Sequence, residues 1–86
     1  MQKWEYLFLV ASWHDDWKIE TANGVNIHDW EYGPTMYEYL NQLGEQGWEI
    51  INTHYHTTFN EEGHIPDELY EHYRIALKRV ISDNNP

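Results

Sequence analysis

The 86-residue chain has no cysteine, which excludes the disulfides that usually compensate for a thin core in domains of this size. Packing alone, or a partner subunit, must supply that stability. Basic residues are scarce as well: 5 Lys and Arg stand against 15 Asp and Glu, a formal net charge of −10 with neutral histidines. That balance argues against nucleic-acid binding, which needs a basic stripe that releases counterions, and against binding to an anionic membrane surface. An acidic, solubilising surface accounts for the charge; a sharper alternative is a nucleic-acid mimic that occupies a basic cleft on another protein. No uninterrupted apolar run reaches the roughly 18 residues of a membrane span, and no basic stretch followed by an apolar run marks a signal peptide. A cytoplasmic, unprocessed, single domain spanning residues 1–86 is expected.

Aromatic residues are abundant, with five Trp, seven Tyr and two Phe. Each can bury on the order of 150 to 250 Å², which suits a thin core plus an apolar contact surface. Trp4 to Trp13 reads as a strand with Trp4, Tyr6, Phe8 and Val10 on one face and Leu7, Leu9, Ala11 and Trp13 on the other. Neither face is polar, so the strand is expected to be central, with a helix over one side and a loop or another copy of the chain over the second.

Asn23-Gly24, between two β-type runs, predicts a type I′ hairpin. With a two-residue loop, Ala22 faces Val25, Thr21 faces Asn26, Glu20 faces Ile27, and the count continues outward to Trp17 opposite Trp30. An indole pair at that position would add about 0.5 to 1 kcal/mol by cross-strand packing. Gly33-Pro34 then predicts a helix from Pro34 to Gln46, with proline at the first helical position. Its buried stripe is Met36, Leu40 and Leu43. Gly47 is placed as the left-handed residue that ends the helix, and Gly44 is expected to allow close approach of helix to sheet. Trp48 to Phe59 reads as another strand, with Trp48, Ile50, Asn52, His54 and His56 on one face, followed by a polar loop, NEEGHIPD. From Leu69 to Ile81 the apolar spacing fits helix and strand almost equally, with helix slightly favoured by period.

The combination of KWEYLFL near the start, LNQLGEQGWEII in the middle and ALKRVI near the end resembles a small bacterial and phage family, domain of unknown function 4177. The likeness rests on Trp4, Glu5, Tyr6, Leu40, Leu43, Gly44, Gly47, Trp48, Glu49, Lys78 and Arg79, and covers most of the chain. It implies that the last segment is a strand. The hairpin WKIETANGVNIHDW and the NEEGHIPD loop are elaborations on that pattern, and the family implies no particular activity. The expected fold is therefore α+β: a twisted antiparallel sheet of four to five strands in the order ββ-β-α-β-β, with one helix packed on one face.

Three constellations bear on chemistry. His54-x-His56 puts two imidazoles on one face of a strand and His72 lies on its expected neighbour, so these three are candidate ligands for zinc or nickel, or simply strand histidines that gain charge as pH falls through about 6.5. Trp-Glu recurs at 4–5, 30–31 and 48–49, which suggests buried carboxylates paired with Arg74, Lys78 or Arg79. Neither Ser12 nor Ser82 sits in a nucleophile-elbow context. No catalytic residue and no cofactor is assigned. The expectation is a non-enzymatic interaction module that uses an aromatic sheet face, with Trp13, Trp17 and Trp30 as candidate contact residues for a homodimer or protein partner. The alternative is a small-molecule or metal-binding protein using the aromatic hairpin and His54, His56 and His72.

Overall fold

The aromatic and β-branched run at the start of the chain forms an eleven-residue strand, β1 (Lys3–Trp13). In the computed structural model, which describes residues 2–59 and 69–81, four more strands join it: β2 (Trp17–Ala22), β3 (Val25–Asn26), β4 (Glu49–Phe59) and β5 (Leu69–Ile81). All neighbours are antiparallel, in the order β3-β2-β1-β5-β4, so β1 lies at the centre as its two apolar faces require. One helix, α1 (Met36–Glu45), completes the α+β fold. The NEEGHIPD segment lies outside the described residues.

Leu9, Ala11, Ile19, Ile75 and Leu77 are the buried core among the described residues. Leu9 pairs with Ile75 and Leu7 with Leu77 across β1 and β5, and Met36, Tyr39, Leu40 and Leu43 of α1 pack over them. A bulge at Glu20 gives β2 its inward set: Ile19 faces Ala11 while Ala22 faces Leu9, which strict alternation would forbid.

The type I′ turn is present, with positive φ at Asn23 and Gly24 and the expected pairs Ala22–Val25 and Thr21–Asn26. Asn23 also anchors the turn to β1, since its side-chain oxygen accepts from the Phe8 amide at 2.9 Å while its own amide donates to the Phe8 carbonyl at 2.7 Å. The register continues only to Ile27, whose amide donates to the Glu20 carbonyl. Past that point the expected pairing fails. Asp29 adopts positive φ and turns the chain into a 3-10 turn at Trp30–Tyr32, so Trp17 pairs with Trp13 of β1 instead of Trp30.

The helix begins two residues after Pro34 rather than on it. Thr35 is the cap: its hydroxyl accepts from the Glu38 amide and the Glu38 carboxylate accepts from the Thr35 amide, a capping box spelled T-M-Y-E. A bridge between Thr35 and Lys18 ties this end to β2. At the other end Gly47 has φ +93°, its amide donates to Gly44 and the Trp48 amide to Leu43, the pattern of a Schellman stop. Gly44 plays no such part. It is exposed, and an added Cβ would meet nothing within 4 Å, so close approach to the sheet is not its reason.

In β4 a bulge at Ile51 interrupts the expected alternation. Ile50 pairs with Leu77, then Asn52 with Ala76 and Thr53 with Ile75, so Ile50 stays on the helix side while Asn52, His54 and His56 take the other. β5 is a strand throughout its thirteen residues. The periodicity of its sequence fits helix as well because both templates place Tyr73 and Leu77 inward; ten backbone pairs with β1 decide the matter.

Candidate functional site

Pairing on β1 and β5 builds a second sheet face, opposite the helix. Trp4 stands beside Val80, Tyr6 beside Lys78, Phe8 beside Ala76, Val10 beside Arg74 and Ser12 beside His72. Trp4, Tyr6, Phe8 and Val80 retain 38, 52, 58 and 43% of their surface in solvent, and among the described residues no element covers them. A row of half-exposed aromatics on the central strand is unusual, because that is where a sheet buries its apolar side chains most easily.

Charge frames the row. The Lys78 ammonium sits 4.3 Å from the centre of the Trp4 ring and 3.8 Å from the Glu49 carboxylate. Glu5 and Arg79 form the matching pair on the helix side at 2.5 Å, and the guanidinium lies 4.4 Å from the Trp48 ring while donating to the Gln46 carbonyl at the helix end. These carboxylates are ion-paired as expected for Glu5 and Glu49, but not buried; Glu31 instead offers its backbone carbonyl to Lys18. Ser12 donates to Glu20 at 2.5 Å, and among the described residues no imidazole hydrogen-bonds to it.

Next to Phe8 the face deepens into a groove of about 390 Å³ that crosses β2, β1, β5 and β4. Phe8, Val10 and Ala76 form its apolar part, and Asn52, His54 and Arg74 its polar side. Arg74 is exposed and makes no ion pair among the described residues.

His54, His56 and His72 share this face at one end of the sheet, as the strand spacing predicts. Ring centres are 5.9 Å apart for His54 and His56 and 5.0 Å for His56 and His72. The rings lie tilted beside one another, and among the described residues no three His, Asp or Glu side chains converge as a metal-ligand set. Burial and then the charge of His56 and Arg74 lower the His72 pKa from its ordinary value.

Of the three tryptophans expected to form the contact surface, Trp13 and Trp17 pack together and Trp30 lies apart from them. Trp17 is half-buried on the helix side, its ring 5.6 Å from Trp13, 6.3 Å from Tyr55 and 4.6 Å from Tyr73, and serves the core. Trp13 is 57% exposed at the end of β1, and Trp30 packs 6.1 Å from His14. Tyr55 donates to Glu71 at 2.5 Å, a bond to the neutral phenol that pushes its pKa to about 12. The open-face residues that sequence reasoning did not single out as contact candidates are Trp4, Tyr6, Phe8 and Arg74. The alternation of β1 put Trp4, Tyr6 and Phe8 together on one face without saying which face the helix covers, and the alternation of β5 adds Arg74 to it once that segment is read as a strand.

The open face thus presents aromatic and aliphatic area, a shallow groove and an exposed guanidinium. Among the described residues no helix is long and apolar enough to cross a membrane. Comparison with protein-family models, with curated proteins and with solved structures finds no match to this chain.

Proposed function

We propose that this chain is a small acidic, non-enzymatic interaction module that docks a second copy of itself, or another protein, on the open face of the sheet. The observation that carries the reading is the exposure of Trp4, Tyr6 and Phe8 in one row on the central strand. A partner sheet packed about 10 Å above them would remove this area from water, at roughly 25 cal/mol per Å² before the cost of association. Aromatic residues of this kind are typical anchors of protein interfaces.

Kinship with the domain of unknown function 4177 is part of the proposal, supported by a common role for the residues that carry the likeness. Trp4, Lys78 and Glu49 meet on the open face, and Glu5, Arg79 and Trp48 meet on the other. A cytoplasmic location is likewise proposed, on the lack of cysteine.

Sedimentation velocity over a range of concentrations tests the docking surface. The expected result is a concentration-dependent dimer that Phe8→Asp converts to monomer with an unchanged circular dichroism spectrum. A wild-type protein that stays a compact monomer at every concentration, with no bound species in native mass spectrometry, would overturn the dimer. A small-ligand reading is favoured by a separate observation, the groove beside Arg74.

A further inference from the structure

The groove on the open face has the dimensions of an ordinary small-molecule site, at about 390 Å³. Its apolar part, Phe8, Val10 and Ala76, offers one aromatic ring and two aliphatic surfaces side by side. Its polar side is unlike the rest of the molecule. In a chain of net charge −10, none of the described residues that line the groove is acidic, and one of them is an arginine. On the same strand Lys78 and Arg79 are each held by a glutamate, whereas Arg74 makes no ion pair among the described residues. A guanidinium presents a planar fork that matches a carboxylate with two parallel hydrogen bonds.

We propose that this groove binds a small organic monocarboxylate with a flat aromatic or aliphatic body, the body resting on Phe8, Val10 and Ala76 and the carboxylate on Arg74. A cationic ligand would meet Arg74 and no carboxylate in the groove. A polyanion would be repelled by the acidic remainder of the chain, since fields from many surface charges add while only one guanidinium answers. A single negative charge on an apolar body is what the lining complements. The Asn52 amide, the Thr21 hydroxyl and the His54 imidazole are further hydrogen-bonding groups on the walls. This inference goes beyond a protein-docking surface, and the two share Phe8.

Phenylacetate and its neutral counterpart phenylacetamide distinguish the possibilities in a two-dimensional amide NMR titration of the whole chain. Phenylacetate is expected to give saturable shifts at Phe8, Val10, Asn52, His54 and Ala76, with phenylacetamide about tenfold weaker or more. Arg74→Gln should remove that preference by weakening phenylacetate alone, and Phe8→Ala should weaken both ligands. The amide spectrum reports in the same experiment that each variant is folded. Equal binding of the two ligands, an unaffected Arg74→Gln, or no saturable shift would overturn the proposal. If the groove amides respond to protein concentration and not to phenylacetate, a second copy occupies the groove; the ligand proposal then fails while the docking surface stands.

Discussion

Gly44 and Gly47 are three residues apart and answer to different physics. Gly47 sits at φ +93°, where any Cβ is strained, so Gly47→Ala should cost stability. Gly44 occupies the last turn of α1 with helical conformation and free space around it, and it costs the helix conformational entropy without any compensating contact. Gly44→Ala is therefore expected to stabilise the protein by about 0.5 to 1 kcal/mol, read as a rise of roughly 2 to 8 °C in Tm by thermal unfolding. A drop in Tm would show that Gly44 has a role in packing after all. His72 makes a second prediction at this scale. Its pKa is lowered in the folded protein, so below the ordinary value of about 6.5 the unfolded chain takes up the proton first. Stability is then complete above about pH 6.5 and declines as pH falls through the folded value. His72→Gln should flatten that part of a stability-against-pH curve measured by urea unfolding; an unchanged slope would assign the effect to other groups.

At the scale of elements, the helix is held at its ends more than along its length. The Thr35–Glu38 box closes the start and the Schellman stop closes the finish, while only four side chains of α1 reach the core. Thr35→Ala should cost about 1 kcal/mol by urea unfolding, and Thr35→Ser should restore most of it. Equal loss in both variants would point to the γ-methyl of Thr35 rather than to its hydroxyl cap. Arg79 is the corresponding tie on β5, joining β1 through Glu5, the helix end through the Gln46 carbonyl, and Trp48 through its ring. About a third of its side chain is in solvent, so screening reduces each contact, and Arg79→Ala is expected to cost about 1 to 2 kcal/mol in total. Arg79→Lys should recover little of this, because an ammonium cannot reproduce the planar fork and the stacking together. These end contacts were open to sequence reading in part. The glycine stop is a one-residue signal, and T-M-Y-E carries the capping box three residues apart, yet Gly33-Pro34 drew the start of the helix to the wrong residue. Proline fixes only its own φ and can as well precede a cap as follow one.

At the scale of the molecule, the two faces of the sheet predict opposite responses to substitution. Leu77 is buried under the helix, and Leu77→Ala should cost about 2 to 5 kcal/mol whatever the state of association. Phe8 retains 58% of its surface, so Phe8→Ala should change the unfolding free energy of the monomer by less than about 1 kcal/mol while abolishing association. Urea unfolding at low protein concentration, set beside sedimentation, separates the two effects. A large loss for Phe8→Ala in a monomer would mean that the open face is a core in its own right.

The sequence by itself determined what could be read from neighbours in the chain. β1 has two apolar faces because apolar residues fill most of both alternating sets, Asn23-Gly24 turns because positive φ is accessible there, and Gly47 ends a helix for the same reason. The residues that likened the chain to a known family also made the last segment a strand, and the sheet order bears that out. Tertiary structure decided what depends on partners distant in sequence. Trp17 turns to Trp13 because β1, with ten pairs to β5 and a bulged register to β2, holds the sheet centre, whereas Asp29 lets the competing strand bend away. The bulge at Ile51 changes which residues of β4 face the helix, and a single inserted residue leaves no mark in a local hydrophobic pattern. The same long-range pairing sets Arg74 beside Val10 and His54, 64 and 20 positions away along the chain, and so makes the groove.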